Sequence, residues 1–140
     1  MLHDRRDGMR ALGIALMVSF IAGTVLAKPP LREVTKIDNE LYYIALADEI
    51  SKKCDELSGR RLKAVNKMWS LRSHANELGY SDAEIRAYVE SDTEKDRMRA
   101  KGDAFLAAKG VSKGDPKTYC AVGRAEIARN SAIGVYLRAK

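Results

Sequence analysis

The chain has 140 residues, with 25 lysines and arginines against 19 aspartates and glutamates, and a net charge of +6. This length fits one domain. Basic and acidic residues are interleaved, without the basic stripe and interleaved aromatics of a nucleic-acid-binding protein, so nucleic acid is disfavoured as a partner. The moderate positive charge suits an anionic membrane surface, a cell-wall polymer or an acidic protein.

Residues 1–27 have the pattern of a secretory signal peptide. Three arginines precede an uncharged, mostly apolar run of 16 residues, Ala11–Leu26, and Val25-Leu26-Ala27 supplies the small residues of a cleavage site. A membrane-spanning helix needs about 20 apolar residues, so cleavage is favoured over a retained anchor. We therefore predict a periplasmic protein of residues 28–140, without a transmembrane segment. Its net charge is +5, because the leader removes three arginines and two aspartates.

The start of the mature chain, residues 28–37, is predicted to be an extended arm. It contains Pro29 and Pro30 and few residues that form a core. A segment this polar is often ordered only against another surface. Pro29 and Pro30 are therefore candidate contacts for a partner.

The first helix is predicted to begin with Asp38 as its N-cap and to run to about Leu57, before Ser58-Gly59. Its apolar residues are spaced 4, 3, 4 and 3 apart, which predicts one buried stripe: Tyr43, Ala47, Ile50, Cys54 and Leu57. Tyr42 precedes the stripe and is a candidate exposed anchor for a partner, since two consecutive residues cannot both face the centre of the core. The alternative is a tyrosine that lies along the rim of the core.

The second helix is predicted from Arg60 to Leu78, where Gly79 ends it. Its apolar stripe has the same spacing and is widened on one side; we expect all of these residues to face the core: Ala64, Met68, Leu71, Ala75 and Leu78, with Leu62, Val65 and Trp69.

Local capping signals predict the remaining helices. Ser81 to Glu84 is a capping box, and Ser91 to Glu94 repeats it ten residues later. The helix that follows stops at Gly110. Asp115-Pro116 then starts a final helix, with a break at Asn130-Ser131. No stretch alternates over strand length, so we expect an all-α fold, a compact bundle of four to six helices.

Cys54 and Cys120 are the only cysteines. In an exported chain, two cysteines usually form one disulfide. Closing the loop between them would contribute about 4 kcal/mol in the chain-entropy model. A redox-active pair or a metal site is disfavoured, since the chain has no C-x-x-C motif and His74 is the only histidine of the mature region.

No cluster of residues predicts a reaction, a cofactor or a metal site. His74 shares one helix face with Ser70 and Glu77, and side chains that diverge from one helix do not converge on a substrate. An acidic stretch fails the calcium-loop pattern, which requires a glycine at position 6 and a glutamate at position 12, and its acids suit a helix N-terminus instead: Glu90, Asp92, Glu94 and Asp96.

Three segments resemble a family of small exported proteins of alphaproteobacteria, a domain of unknown function: Leu78–Ile85 (LGYSDAEI), Lys101–Gly110 and Asp115–Ala128. The resemblance covers the whole mature region. It implies a gene neighbourhood, in some genomes, with the respiratory NADH:quinone oxidoreductase, and it transfers no catalytic residues.

These observations favour a non-enzymatic binding or accessory module of an unknown protein partner, on the periplasmic side of a membrane complex such as a respiratory one. The alternative is a small periplasmic hydrolase or cell-wall-active enzyme that uses Glu and Asp as acid and base, although no spacing singles out a pair.

Overall fold

The computed structural model describes residues 26–140, so the predicted signal peptide lies almost entirely outside the described residues. The fold is all-α and has five α-helices, α1 to α5: Thr35–Lys53, Arg61–Glu77, Asp82–Glu90, Asp92–Ala108 and Pro116–Ala128. Short 3₁₀ turns occupy Leu31–Glu33 and Gly134–Tyr136. Two three-residue strands, β1 (Leu57–Gly59) and β2 (Leu137–Ala139), complete it. None of the helices described is both long and apolar enough to cross a bilayer.

The disulfide between Cys54 and Cys120 is confirmed and lies inside the main core. Cys54 directly follows α1, and Cys120 lies in α5, with their Cα atoms 5.1 Å apart. Both side chains are buried among residues of α1, α4, α5 and the C-terminal segment, including Leu46, Ile50 and Leu106. The bond therefore joins the two helices that contribute most to this core.

The start of α1 differs from its prediction. The helix begins at Thr35 rather than at Asp38, and it ends at Lys53 rather than near Leu57. Asp38 is not an N-cap, because its carboxylate is buried and accepts hydrogen bonds from Arg97 of α4 and Tyr88 of α3.

Tyr42 is neither an exposed anchor nor a residue at the rim of the core. Tyr42 is only 6% exposed and belongs to the main core, whereas Tyr43 is partly buried at its margin. The two rings pack together, with centroids 5.6 Å apart. A helix covered on one side only would expose one of two consecutive residues. Since α4 and α5 both pack on α1, its buried face is wide enough to include both tyrosines.

The prediction that residues 28–37 form an extended arm is also wrong, because this segment packs against α2 and the turn that follows it. Leu31 is 5% exposed and lies with Ile37 in a second core, whose other members come from α2 and the turn after it: Leu71, Ala75 and Tyr80. The Tyr80 hydroxyl donates to the Pro29 carbonyl. The Lys28 ammonium donates to the Gly79 carbonyl at 2.6 Å and pairs with Glu84.

The small sheet was not predicted. Strands β1 and β2 are antiparallel, with Leu57 opposite Ala139 and Gly59 opposite Leu137. Three residues are too few to show an alternating pattern. The pairing joins two distant parts of the chain, which the disulfide and the α1–α5 contact also hold together. It places Arg60, whose N–H donates to the Tyr136 carbonyl at 2.7 Å, near Arg138.

The predicted helix ends are largely confirmed. Ser81 and Glu84 form both hydrogen bonds of a capping box, at 3.1 and 2.6 Å. Ser91 accepts the Glu94 N–H at 3.3 Å, but the Glu94 carboxylate turns to Arg32 and Arg97, so this box is only half formed. Asp115 caps α5 ahead of its proline. Gly79, Gly110 and Asn130 adopt the left-handed conformation that ends a helix.

Candidate docking surface

Helix α2 carries an apolar face that the rest of the described chain leaves uncovered. Its buried residues are only Leu71 and Ala75. The prediction that the whole widened stripe faces the core is therefore wrong. The exposed fraction is 81% for Leu62 and 60% for Trp69, and the other large apolar residues are also exposed: Val65, Met68 and Leu78. Leu62, Val65 and Trp69 are spaced 3 and 4 apart, so they form a second stripe beside the buried one.

The sequence contained a signal for this exposure. At 100° per residue, the apolar side chains of α2 span about half of the helix circumference, more than the stripe of about 100° that a surface helix needs. A helix on the surface of a small domain is normally covered on one side only. In this fold, α2 is contacted by α1, by the nine-residue α3 and by the 3₁₀ turn Gly134–Tyr136, and none of them covers Leu62 or Trp69. Part of the apolar stripe must therefore remain outside.

A groove of about 380 Å³ runs beside this face, between α2, α3 and the N-terminal segment. Its walls include Val65, Met68 and Trp69 of α2 and the half-exposed Val89 of α3. Leu31 and Ile37 of the second core also line it. Almost all of the lining is apolar, as expected of a surface that binds another apolar surface.

The rim of the groove holds Trp69 in place. The Arg72 guanidinium lies over the Trp69 ring, 5.4 Å from its centroid. The same guanidinium donates two hydrogen bonds to Asp82, at 3.1 and 2.6 Å, and Asn76 donates a third at 3.2 Å. The pKa of Asp82 is lowered mainly by the hydrogen bonds from Arg72 and, to a smaller extent, by the one from Asn76. Asp82 is therefore ionised at neutral pH and is neutralised by Arg72.

Basic residues cluster where α2 begins. A shallow depression of about 430 Å³ is lined by the exposed Leu62 and by four basic residues: Arg60, Arg61, Lys63 and Arg138. Within residues 26–140, none of these four cations forms an ion pair with a carboxylate. Arg138 donates instead to the Ser58 hydroxyl at 3.1 Å, and the Lys63 ammonium lies 5.9 Å from the Tyr136 ring centroid.

The structure does not bring the predicted partner contacts together. Pro29 and Pro30 are exposed, and Pro30 directly precedes Leu31, which lines the groove. Tyr42 lies in the main core and lines a different cavity, of about 490 Å³, between α1, α4 and α5.

The cavity between α1, α4 and α5 is lined by two carboxylates, which bear on the enzyme alternative. Glu49 and Asp103 both line it, but Asp103 already pairs with Lys113 at 2.8 Å. His74 lies elsewhere, 3.8 Å from Glu77 of its own helix. No three acidic, histidine or cysteine side chains of the described region are grouped as a metal site would require.

A buried polar network lies behind the groove and fixes α3 and α4 on α1. The Arg97 Nε donates to Glu94 at 2.8 Å, and the Arg97 Nη1 donates to Asp38 at 3.3 Å. The Tyr88 hydroxyl also donates to Asp38, and Arg32 pairs with Glu94. Burial acts to raise the pKa of Asp38, but the hydrogen bonds from Arg97 and Tyr88 outweigh it and hold the pKa below its usual value.

This network predicts a loss of stability in acid. Because the folded pKa of Asp38 is lowered, its contribution is complete above the unfolded value of about 3.9 and is lost as pH falls through the folded value. At pH 7, Asp38→Asn should cost about 1–3 kcal/mol, since it removes a partner of a charged hydrogen bond. The exposed Asp55 gives the matched control, Asp55→Asn. Urea titrations at pH 7 and pH 3 measure both. An Asp38→Asn penalty equal at the two pH values would contradict the assignment.

Comparison with known proteins identifies the family. No curated protein and no solved structure gives a match. The model of a family of unknown function, DUF5333, matches residues 29–138, which include both cores, the disulfide and the exposed face of α2. The resemblance to a domain of unknown function is thereby confirmed, and the chain belongs to the DUF5333 family.

Proposed function

We propose that the protein is a non-enzymatic, exported binding module that docks through the apolar face of α2. The observation that carries the proposal is the exposure of Leu62, Val65, Met68 and Trp69 on one helix. Covering such a surface stabilises a complex by roughly 25 cal/mol for each Å² of apolar area removed from water. Contiguous exposed apolar surface of this kind is typical of an interaction site.

Two further observations support a periplasmic location. The first 27 residues have the order of a cleaved signal peptide, and a disulfide persists in an oxidising compartment. The gene neighbourhood implied by the family resemblance extends the proposal to an accessory role on the periplasmic side of a respiratory membrane complex. Pro30 directly precedes Leu31, which lines the groove, and the exposed Pro29 and Pro30 are proposed to extend the contact.

The proposal predicts that the α2 face touches a partner in cells. In the test variant, a photoreactive amino acid is introduced at Val65, which lines the groove. In the control variant, the same amino acid is introduced at the exposed Lys117 of α5. Irradiation should give a discrete adduct from position 65 and none from position 117, as measured by mass spectrometry of the purified chain. Adding Trp69→Ala should reduce the adduct. Equal background from both positions would contradict the proposal.

Deleting residues 28–36 would not isolate the contribution of Pro29 and Pro30 to binding. Leu31 is part of the second core, so this deletion is expected to unfold the groove as well. Substituting the exposed Pro29 and Pro30 with serine leaves Leu31 in place.

The second candidate function is a small periplasmic hydrolase or cell-wall-active enzyme. The observation that favours it is the α1–α4 cavity, which is lined by Glu49 and Asp103. Under this alternative, the unmodified protein hydrolyses purified cell wall and Glu49→Gln abolishes that hydrolysis, whereas the binding-module proposal expects no hydrolysis by either protein. The ion pair of Asp103 with Lys113 makes Glu49 the better candidate for the catalytic base.

A further inference from the structure

We propose that the surface covered by the α2 face is that of an anionic phospholipid bilayer. Leu62, Val65 and Trp69 would enter the headgroup region, while the cluster of Arg60, Arg61, Lys63 and Arg138 contacts lipid phosphates. The inference rests on the proposed function and names the partner of that same face.

The shape of the surface favours lipid over a folded protein. Leu62 is 81% exposed and Trp69 60%, so both side chains project from the helix instead of lining the floor of the groove. Projecting side chains need a partner with matching hollows, unless that partner is deformable, as lipid headgroups are. Trp is also enriched at the boundary between headgroups and acyl chains, because its ring is apolar and its N–H is polar.

Charge complementarity indicates that the lipid is anionic. Helix α2 contains four lysines and arginines and one acidic residue, Glu77 at its C-terminal end. The four cations around Leu62 have no ion-pair partner among the residues described. Basic residues beside an apolar stripe are typical of helices that lie on anionic membranes.

The acidic residues near this face do not cancel its charge. Asp82 is paired with Arg72, and Glu84 is paired with Lys28. Glu90 follows Val89 on α3 and is the exposed acid beside the far wall of the groove. Among the described residues, no carboxylate forms an ion pair with the four cations around Leu62.

The length of α2 suits a helix lying in the plane of the membrane. Its 17 residues span about 25 Å at 1.5 Å per residue. Leu62 and Trp69 are seven residues apart, about two turns, and share one side of the helix. Both could therefore enter one surface together without unfolding of the domain.

Trp69 supplies a direct measurement, because it is the only tryptophan of the chain. The full chain is expressed, its processed N-terminus is determined by mass, and the folded protein is mixed with vesicles. With phosphatidylglycerol vesicles we expect co-sedimentation and a shift of Trp69 emission to shorter wavelength. Phosphatidylcholine vesicles should give neither. Raising the salt concentration should weaken the binding, because ions screen the exposed cations.

Matched variants separate the cluster from net charge. The variant Arg60→Gln/Arg61→Gln/Arg138→Gln should bind phosphatidylglycerol vesicles at least about tenfold more weakly, since each basic residue near an anionic surface contributes severalfold. The control, Lys101→Gln/Lys109→Gln/Lys117→Gln, removes the same charge from exposed positions in or beside α4 and α5 and should change binding by less than about threefold. Circular dichroism confirms that both variants are folded.

Three results would overturn the inference. Equal losses in the two triple variants would mean that only net charge matters. Equal binding to phosphatidylcholine vesicles would mean that the protein does not recognise the anionic headgroup. Absence of vesicle binding, combined with a protein adduct at position 65, would replace lipid by a protein partner while the proposed function stands. If position 65 also gives no adduct, the proposed function fails with it.

Discussion

Replacing Cys54 and Cys120 together by alanine is expected to lower the free energy of unfolding by about 4 kcal/mol. The bond closes a loop across 66 residues, and the chain-entropy model gives about this value for such a loop. Both cysteines are buried in the main core, so the surrounding side chains add a packing loss. A melting temperature lower by roughly 10–20 °C should follow in a domain of this size.

Reduction of the unmodified protein is the matched control for this prediction. A reducing agent breaks the same bond without removing sulfur atoms, so it should reproduce most of the loss measured for the double alanine variant. Mass spectrometry of the unreduced protein after alkylation should find no free thiol. Two readily alkylated thiols in the native protein, or a melting temperature unchanged by reduction, would contradict the assignment.

The disulfide also has a consequence for the proposed docking surface. Cys54 lies just before β1, and Arg60 follows β1; the paired strand β2 carries Arg138. The crosslink therefore stabilises the sheet that holds two cations of the cluster near one another. Any loss of vesicle binding after reduction has to be compared with the folded fraction measured under the same conditions.

Among the glycines of residues 26–140, Gly134 is the one at which we expect replacement by alanine to be most damaging. A Cβ atom at this position would lie 2.0 Å from the Glu126 carbonyl oxygen and 2.7 Å from the Ile127 nitrogen. These are backbone atoms of α5, so they cannot move aside without distorting the helix end. Overpacking a core site usually costs about 1–3 kcal/mol, and a backbone conflict this close should reach or exceed the upper limit.

Gly114 provides the matched control. A Cβ at Gly114 meets no atom within 4 Å, and its backbone does not have a positive φ. Gly114→Ala should therefore leave the melting temperature nearly unchanged or raise it slightly by restricting the unfolded chain. Gly123→Ala serves if Gly134→Ala fails to fold, because its conflicts at 2.3 and 2.8 Å are with the side chains of Leu57 and Ile50. A Gly134→Ala protein as stable as the Gly114→Ala protein would contradict the packing described at α5.

The amino-acid sequence by itself determined the features that depend on neighbouring residues. Ser81 and Glu84 begin α3, and Asp115-Pro116 begins α5, because each cap is made by side chains within three residues of the helix start. Gly79 and Gly110 end helices because a left-handed residue is easiest for glycine. The disulfide was predictable because the chain has only two cysteines.

Only the tertiary structure decided which side of each helix is covered. Helical spacing shows that apolar residues share a face, but the width of the buried face depends on how many elements pack against it. Helix α1 is contacted by α4 and α5, so Tyr42 is buried beside Tyr43, and Asp38 meets Arg97 from 59 residues away. Helix α2 is contacted by α1, α3 and the turn Gly134–Tyr136, and these elements leave Leu62 and Trp69 exposed. The candidate docking surface follows from that difference, because burial is set by contacts between residues far apart in the sequence.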